Sequence, residues 1–180
     1  LIGEINDEMY QKIVENRSVK DTDARGTAQI VGLSAIKYGD LSNQASKDYV
    51  FDVERFTSFE GNTGPYILYT IVRTKSILGK YKEEGNELLA PKSDSEKALM
   101  LSVSRFNGVV ENAFEEKAPH KICAYIYELA NEFNHFYHET KILSEQDEAR
   151  KASYLALLDL VREVLETCID LLGFSAPERM

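Results

Sequence analysis

Leu1, Ile5, Met9 and Ile13 recur every four residues while Glu4, Asp7, Glu8 and Glu15 take the opposite side, so the chain opens on an amphipathic helix that ends near Asn16. Thr22 to Lys37 is again helical in pattern, with Ala28, Val31 and Ala35 on one face and Gly39 placed to stop it. Leu41 to Thr63 is less regular. Pro65 suits the first turn of a third helix, where its missing N–H costs nothing, and Ile67, Ile71 and Leu78 mark its apolar side up to Gly85. Ser93 and Glu96 have capping-box spacing ahead of Leu99, Met100, Val103 and Phe106, and a short helix carries Val109, Val110, Ala113 and Phe114. Pro119 opens a helix whose wide apolar face is Ile122, Cys123, Ile126, Leu129, Ala130, Phe133 and Phe136. The last helix runs from about Asp147 to Leu172, with Leu155, Leu158, Leu165, Ile169 and Leu172 on its apolar side, and Gly173 stops it.

No stretch alternates for long with period two, and no internal repeat is present. The pattern predicts an all-α fold: an antiparallel helical bundle preceded by a helical connecting segment. Lys82 to Ser95, with Gly85, Asn86, Pro91 and Asp94, reads as a polar loop.

With 180 residues, 43% of them hydrophobic and 28% charged, the composition is that of a globular domain, and no apolar run reaches a membrane span of roughly 18 residues. A cytoplasmic monomer without membrane partners is the expectation. Cys123 and Cys168 sit among apolar neighbours at helical spacing, as small buried hydrophobes do. Position 1 is Leu on the face of the opening helix, so the sequence reads as part of a longer polypeptide whose catalytic regions lie upstream.

A net charge of -9 argues against indiscriminate wrapping of nucleic acid, DNA included, because that mode needs many cations on phosphates. A local site is still compatible with it. From Gly61 to Lys82 there is no acidic residue, and Arg73, Lys75, Lys80 and Lys82 interleave with Tyr66, Tyr69 and Tyr81. By spacing alone Tyr66, Tyr69 and Tyr137 are either core residues with satisfied hydroxyls or platforms for unpaired bases.

Other chemistry is thinly supplied. Glu132 and His135 form a Glu-x-x-His pair, with His138 one turn on, but a helical di-metal site needs a second such pair and none occurs, so no metal is expected. The turn Gly61-Asn62-Thr63-Gly64 lacks the Lys-Ser/Thr of a phosphate loop and reads as a helix start capped near Thr63. No nucleophile elbow or activated cysteine appears, so no catalytic residue is assigned.

The run Lys47-Asp48-Tyr49-Val50-Phe51-Asp52-Val53-Glu54-Arg55-Phe56, continuing through Ser58-Phe59-Glu60-Gly61-Asn62-Thr63-Gly64-Pro65-Tyr66, resembles the segment that joins the catalytic and anticodon-binding domains of arginyl-tRNA synthetases. Ile36 to Leu41, Pro119-His120, Tyr125 to Leu129 and the ending Leu171 to Met180 are similar to the same family. Val53 stands where that family commonly has Trp and Leu68 where Gln is frequent, and both keep or increase apolar character.

The resemblance implies that residues 1–60 are the tail of a catalytic domain with its connection, and residues 61–180 a DALR-type anticodon-binding domain. It implies tRNA contacts at Tyr66, Tyr137 and Met180, then Tyr69 and Asn62; by charge, Arg73, Lys75 and Lys80 are expected to neutralise nearby phosphates. The partners it implies are an arginine tRNA and the catalytic domain of the same polypeptide. The family's ATP, with magnesium, and arginine react on His-Ile-Gly-His-like and Lys-Met-Ser-Lys-Ser-like motifs that do not occur in this sequence, so the chain alone is expected to be inactive and to hold no cofactor. A helical protein-interaction module with an acidic surface is the alternative.

Overall fold

The computed structural model describes residues 1–15, 21–81 and 87–180. Eight α-helices occur among them: α1 (Ile2–Glu15), α2 (Asp21–Leu41), α3 (Val53–Phe56), α4 (Gly64–Leu78), α5 (Asp94–Ser104), α6 (Phe106–Glu115), α7 (Pro119–Glu139) and α8 (Glu148–Leu171), with a 3-10 turn at Ile142–Ser144. The described residues contain no strand.

Local chemistry sets most of the helix starts. Thr63 Oγ1 accepts the Tyr66 amide at 3.2 Å and Pro65 occupies the first turn of α4. Ser93 Oγ accepts the Glu96 amide at 3.1 Å, while Glu96 returns its carboxylate to the Lys92 amide at 2.7 Å, one residue ahead of the usual capping-box partner. Asp147 caps α8 through the Ala149 and Arg150 amides. At the far end Gly173 takes φ 81°, and the Phe174 amide reaches back to the Ile169 carbonyl, which closes α8 in a left-handed cap.

The helices pack as α1 on α2, α2 on α4, α4 on α8, and α7 against α2, α4, α5, α6 and α8. One apolar cluster runs through all of them, from Ile5 to Phe174, and α7 contributes Cys123, Ile126, Leu129, Ala130, Phe133 and Phe136, all fully buried. Leu68 is also fully buried, so the apolar side chain there serves the core directly. Tyr38 of α2 is buried beside α7, its single hydroxyl proton shared between Asn62 Oδ1 at 2.5 Å and the Cys123 carbonyl at 2.9 Å.

Several local expectations are corrected. Gly39 does not end the second helix, which continues to Leu41; a side chain at 39 would collide with the Phe56 ring, so the glycine is there for close packing. The helix opened by Pro65, α4, stops at Leu78, capped by Gly79, and Gly85 and Asn16 lie outside the described residues, as does Lys82. Phe106 begins α6 rather than extending the α5 face, and on α6 Ala113 is buried while Phe114 is 83% exposed. The described part of the loop after residue 86 is tied down, with Leu89 N–H on Ser153 Oγ and the Ala90 carbonyl on Arg150.

Candidate nucleic-acid interface

α4 brings Tyr66 and Arg73 against α7, with Tyr69 beside Arg73. Tyr66, Tyr69 and Arg73 are spaced i, i+3, i+7 and share one face of α4. Facing them, α7 presents Tyr127, Asn131, Asn134 and Tyr137, again on one helical stripe.

The two stripes are joined by a continuous polar and aromatic network. The Tyr66 hydroxyl donates to Asn131 Oδ1 at 2.7 Å and accepts from Asn134 Nδ2 at 2.8 Å, and its ring meets Tyr127 edge-on with centroids 5.8 Å apart. Arg73 donates through Nη1 to Asn134 Oδ1 at 3.0 Å and through Nη2 to the Tyr69 hydroxyl at 2.9 Å. Its guanidinium carbon lies 4.7 Å from the Tyr69 ring centre and 5.6 Å from that of Tyr137, cation–π distances for both. Tyr137 in turn stacks on buried Phe133 at 6.0 Å with an interplanar angle of 20°. Burial pushes the Tyr66 phenol above its ordinary pKa, with the Asn134 hydrogen bond working the other way.

Tyr69 is 41% exposed, and Tyr66 and Tyr137 are half-buried, so all three side chains keep part of their surface open to solvent. Such an array brings aromatic rings, amides and a cation together on one partly exposed face.

The remaining candidates are spread around this cluster. Lys75 points to the α8 side, bonded to Glu166 at 2.9 Å and to Glu178 at 3.4 Å. Burial alone would lower its pKa, but the hydrogen bond and charge of Glu166, followed by those of Glu178, outweigh it and leave the ammonium above its ordinary value. Lys75 therefore anchors the terminal segment, and Met180 at its end packs against the core while staying partly exposed. Lys80 is exposed. Asn62 lies at the turn on the Tyr38 side, its amide oxygen taken by the Tyr38 hydroxyl.

Asn131 and Asn134 also belong to this cluster, and neither is among the residues expected from the sequence. Their signal was the polar stripe Asn131, Asn134, His138 along α7, which acquires meaning only once α4 lies beside it. His135 pairs with Glu139 at 3.0 Å, and among the described residues no three His, Cys, Asp or Glu side chains are placed to hold a metal ion. A 460 Å³ hollow at the α3–α4 turn is lined by Asp52, Glu54 and Glu60 with Arg55 as the sole cation, an acidic wall that does not fit a nucleotide triphosphate. No helix among the described residues is long and apolar enough to cross a membrane.

Residues 67–180 match the DALR anticodon binding domain family. The whole chain is 61% identical to a stretch of the arginine–tRNA ligase of Agathobacter rectalis and 53% identical to one of Alkaliphilus oremlandii, covering 32% and 31% of those proteins. Its fold superposes on the arginyl-tRNA synthetase of Thermus thermophilus with a TM-score of 0.91 and 31% identity, over 99% of this chain and 31% of that one. The chain thus spans about a third of the length of the relatives it resembles.

Proposed function

We propose, from the premise that this chain belongs to the DALR anticodon binding domain family, that it reads the anticodon loop of an arginine tRNA as part of an arginine–tRNA ligase. The observation that carries the reading is the Tyr66, Tyr69, Arg73, Tyr137 cluster: partly exposed rings held in place by their neighbours, with a guanidinium against two of them. Single-stranded loops are read by such platforms, each stacked base contributing roughly 1 to 3 kcal/mol by truncation. Met180, polarizable and held near the bundle by the Lys75 anchor, supports a base edge. Lys80, exposed, serves a phosphate, whereas Lys75 acts mainly through the tail.

In this reading residues 61–180 form the RNA-reading domain and residues 1–60 connect it to the catalytic part of the same polypeptide, working as a cytoplasmic monomer. ATP with magnesium, and the ligation of arginine, belong to that catalytic part.

The test is titration of the chain with an arginine anticodon stem-loop and a mismatched stem-loop at two salt concentrations. A preference for the arginine loop that survives higher salt is expected, because phosphate contacts fade for both RNAs alike. Tyr66→Ala and Tyr137→Ala should each reduce it. Equal binding of the two loops returns the reading to a protein-interaction module with an acidic surface.

A further inference from the structure

Arg73 can only donate hydrogen bonds, so the Asn134 amide facing it must present Oδ1. That choice turns Nδ2 toward Tyr66, whose oxygen accepts it, and sends the Tyr66 proton to Asn131 Oδ1. At the other end Tyr69 accepts from Arg73, which directs its own proton outward. The sense of the three bonds that join Tyr69, Arg73, Asn134 and Tyr66 follows from one group that has no acceptor.

We propose that Asn134 is the positioning residue of this face, holding the Tyr66 hydroxyl and the Arg73 guanidinium as one preorganised unit with a set hydrogen-bond polarity. Of the five N–H donors of a guanidinium, two are engaged here and three remain for a ligand. Tyr66 keeps one lone pair, so it presents an acceptor, while Tyr69 presents a donor. The unit suits a base edge offering acceptors beside Arg73 and Tyr69 and an amino or imino group beside Tyr66. Asn134 is half-buried between the two helices and meets both residues through its single rigid amide, so it limits their freedom before any ligand arrives. The relevance to RNA rests on the function proposed above.

The experiment has two arms on the same variants. In the free protein, side-chain 15N spectra, with the Arg73 signals assigned by Arg73→Lys, follow rotation of the guanidinium. Slow rotation is expected in the parent and in Asn131→Leu, fast rotation in Asn134→Leu, and recovery in Asn134→Asp, which keeps an acceptor for Arg73. Unchanged rotation in Asn134→Leu overturns the proposal. In the second arm an arginine anticodon stem-loop is titrated into the parent and into a Tyr66→Phe/Arg73→Lys background. Asn134→Leu should weaken binding about tenfold in the parent and less than about twofold in the background, because a preorganising residue has nothing left to hold there. Equal losses in both would mean that Asn134 acts independently of the pair, and overturn the proposal. An RNA that fails to bind even the parent refutes the anticodon reading, and the spectra still decide whether Asn134 orders the pair.

Discussion

Gly64→Ala should loosen the bundle at the point where α4 leaves the turn, and it separates packing from helix propensity. A Cβ at position 64 would run into the Ser34 carbonyl of α2 and lie 3.0 Å from the Ala35 amide nitrogen. Both obstacles are backbone inside a helix that also carries buried Val31, Ala35 and Tyr38, so no rotamer change relieves the clash. Overpacking costs about 1 to 3 kcal/mol, and rigid backbone obstacles put this site at about 3; the better helix propensity of alanine returns at most about 1, leaving a net loss of about 2 kcal/mol. With a urea slope of about 2 kcal/mol per molar, the unfolding midpoint falls by about 1 M. Gly26→Ala, in exposed α2 surface with nothing within 4 Å of the added carbon, should do the opposite and gain about 0.5 to 1 kcal/mol. Urea unfolding followed by circular dichroism reads both. A Gly64→Ala protein as stable as the parent would refute the close approach of α4 to α2.

Cys123 and Cys168 are buried, and burial pushes each thiol up to about 12, so neither should react with a disulfide reagent at pH 8 until denaturant opens the fold. Rapid labelling of the native protein would contradict that. Glu8 is held below the ordinary carboxylate range first by its hydrogen bond to Lys12, with Thr57 adding to it against a burial effect that opposes both. Its folded pKa lies under its unfolded one, so its stabilisation is present above the unfolded value of about 4.5 and is lost as pH falls through the folded value. Glu8→Gln should therefore flatten the acid limb of a stability-against-pH curve, and an unaltered limb would assign the acid sensitivity elsewhere. Lys75→Met should release the terminal segment, seen as larger backbone motion from Glu178 to Met180 in 15N relaxation with a stability change within about 1 kcal/mol. Unchanged relaxation there would mean that core contacts of Met180 hold the tail without the ion pair.

The helix starts at Pro65, Ser93 and Pro119 and the stop at Gly173 were legible because a cap is a bargain among residues three or four apart. So was the wide apolar face of α7, since a period of 3.6 repeats within the segment itself, and the resemblance carried by Lys47 to Tyr66 pointed to the family. Gly39 was misread because its reason is the Phe56 ring, which only the chain's return past α2 brings against it. Tyr66, Tyr69 and Arg73 could be placed on one face from their spacing, but spacing could not choose between core and platform. The partly exposed network they form depends on Asn131, Asn134 and Tyr137, some 65 residues away along the chain and brought within 3 to 6 Å by the packing of α4 on α7. Lys75 shows the same limit in charge: its sign is written in the sequence, whereas its use on Glu166 and Glu178 depends on which helix lies alongside. Local hydrogen bonding and periodicity are properties of a segment; the sharing of a proton, a ring face or a charge between segments is decided only when burial of a common core brings them together.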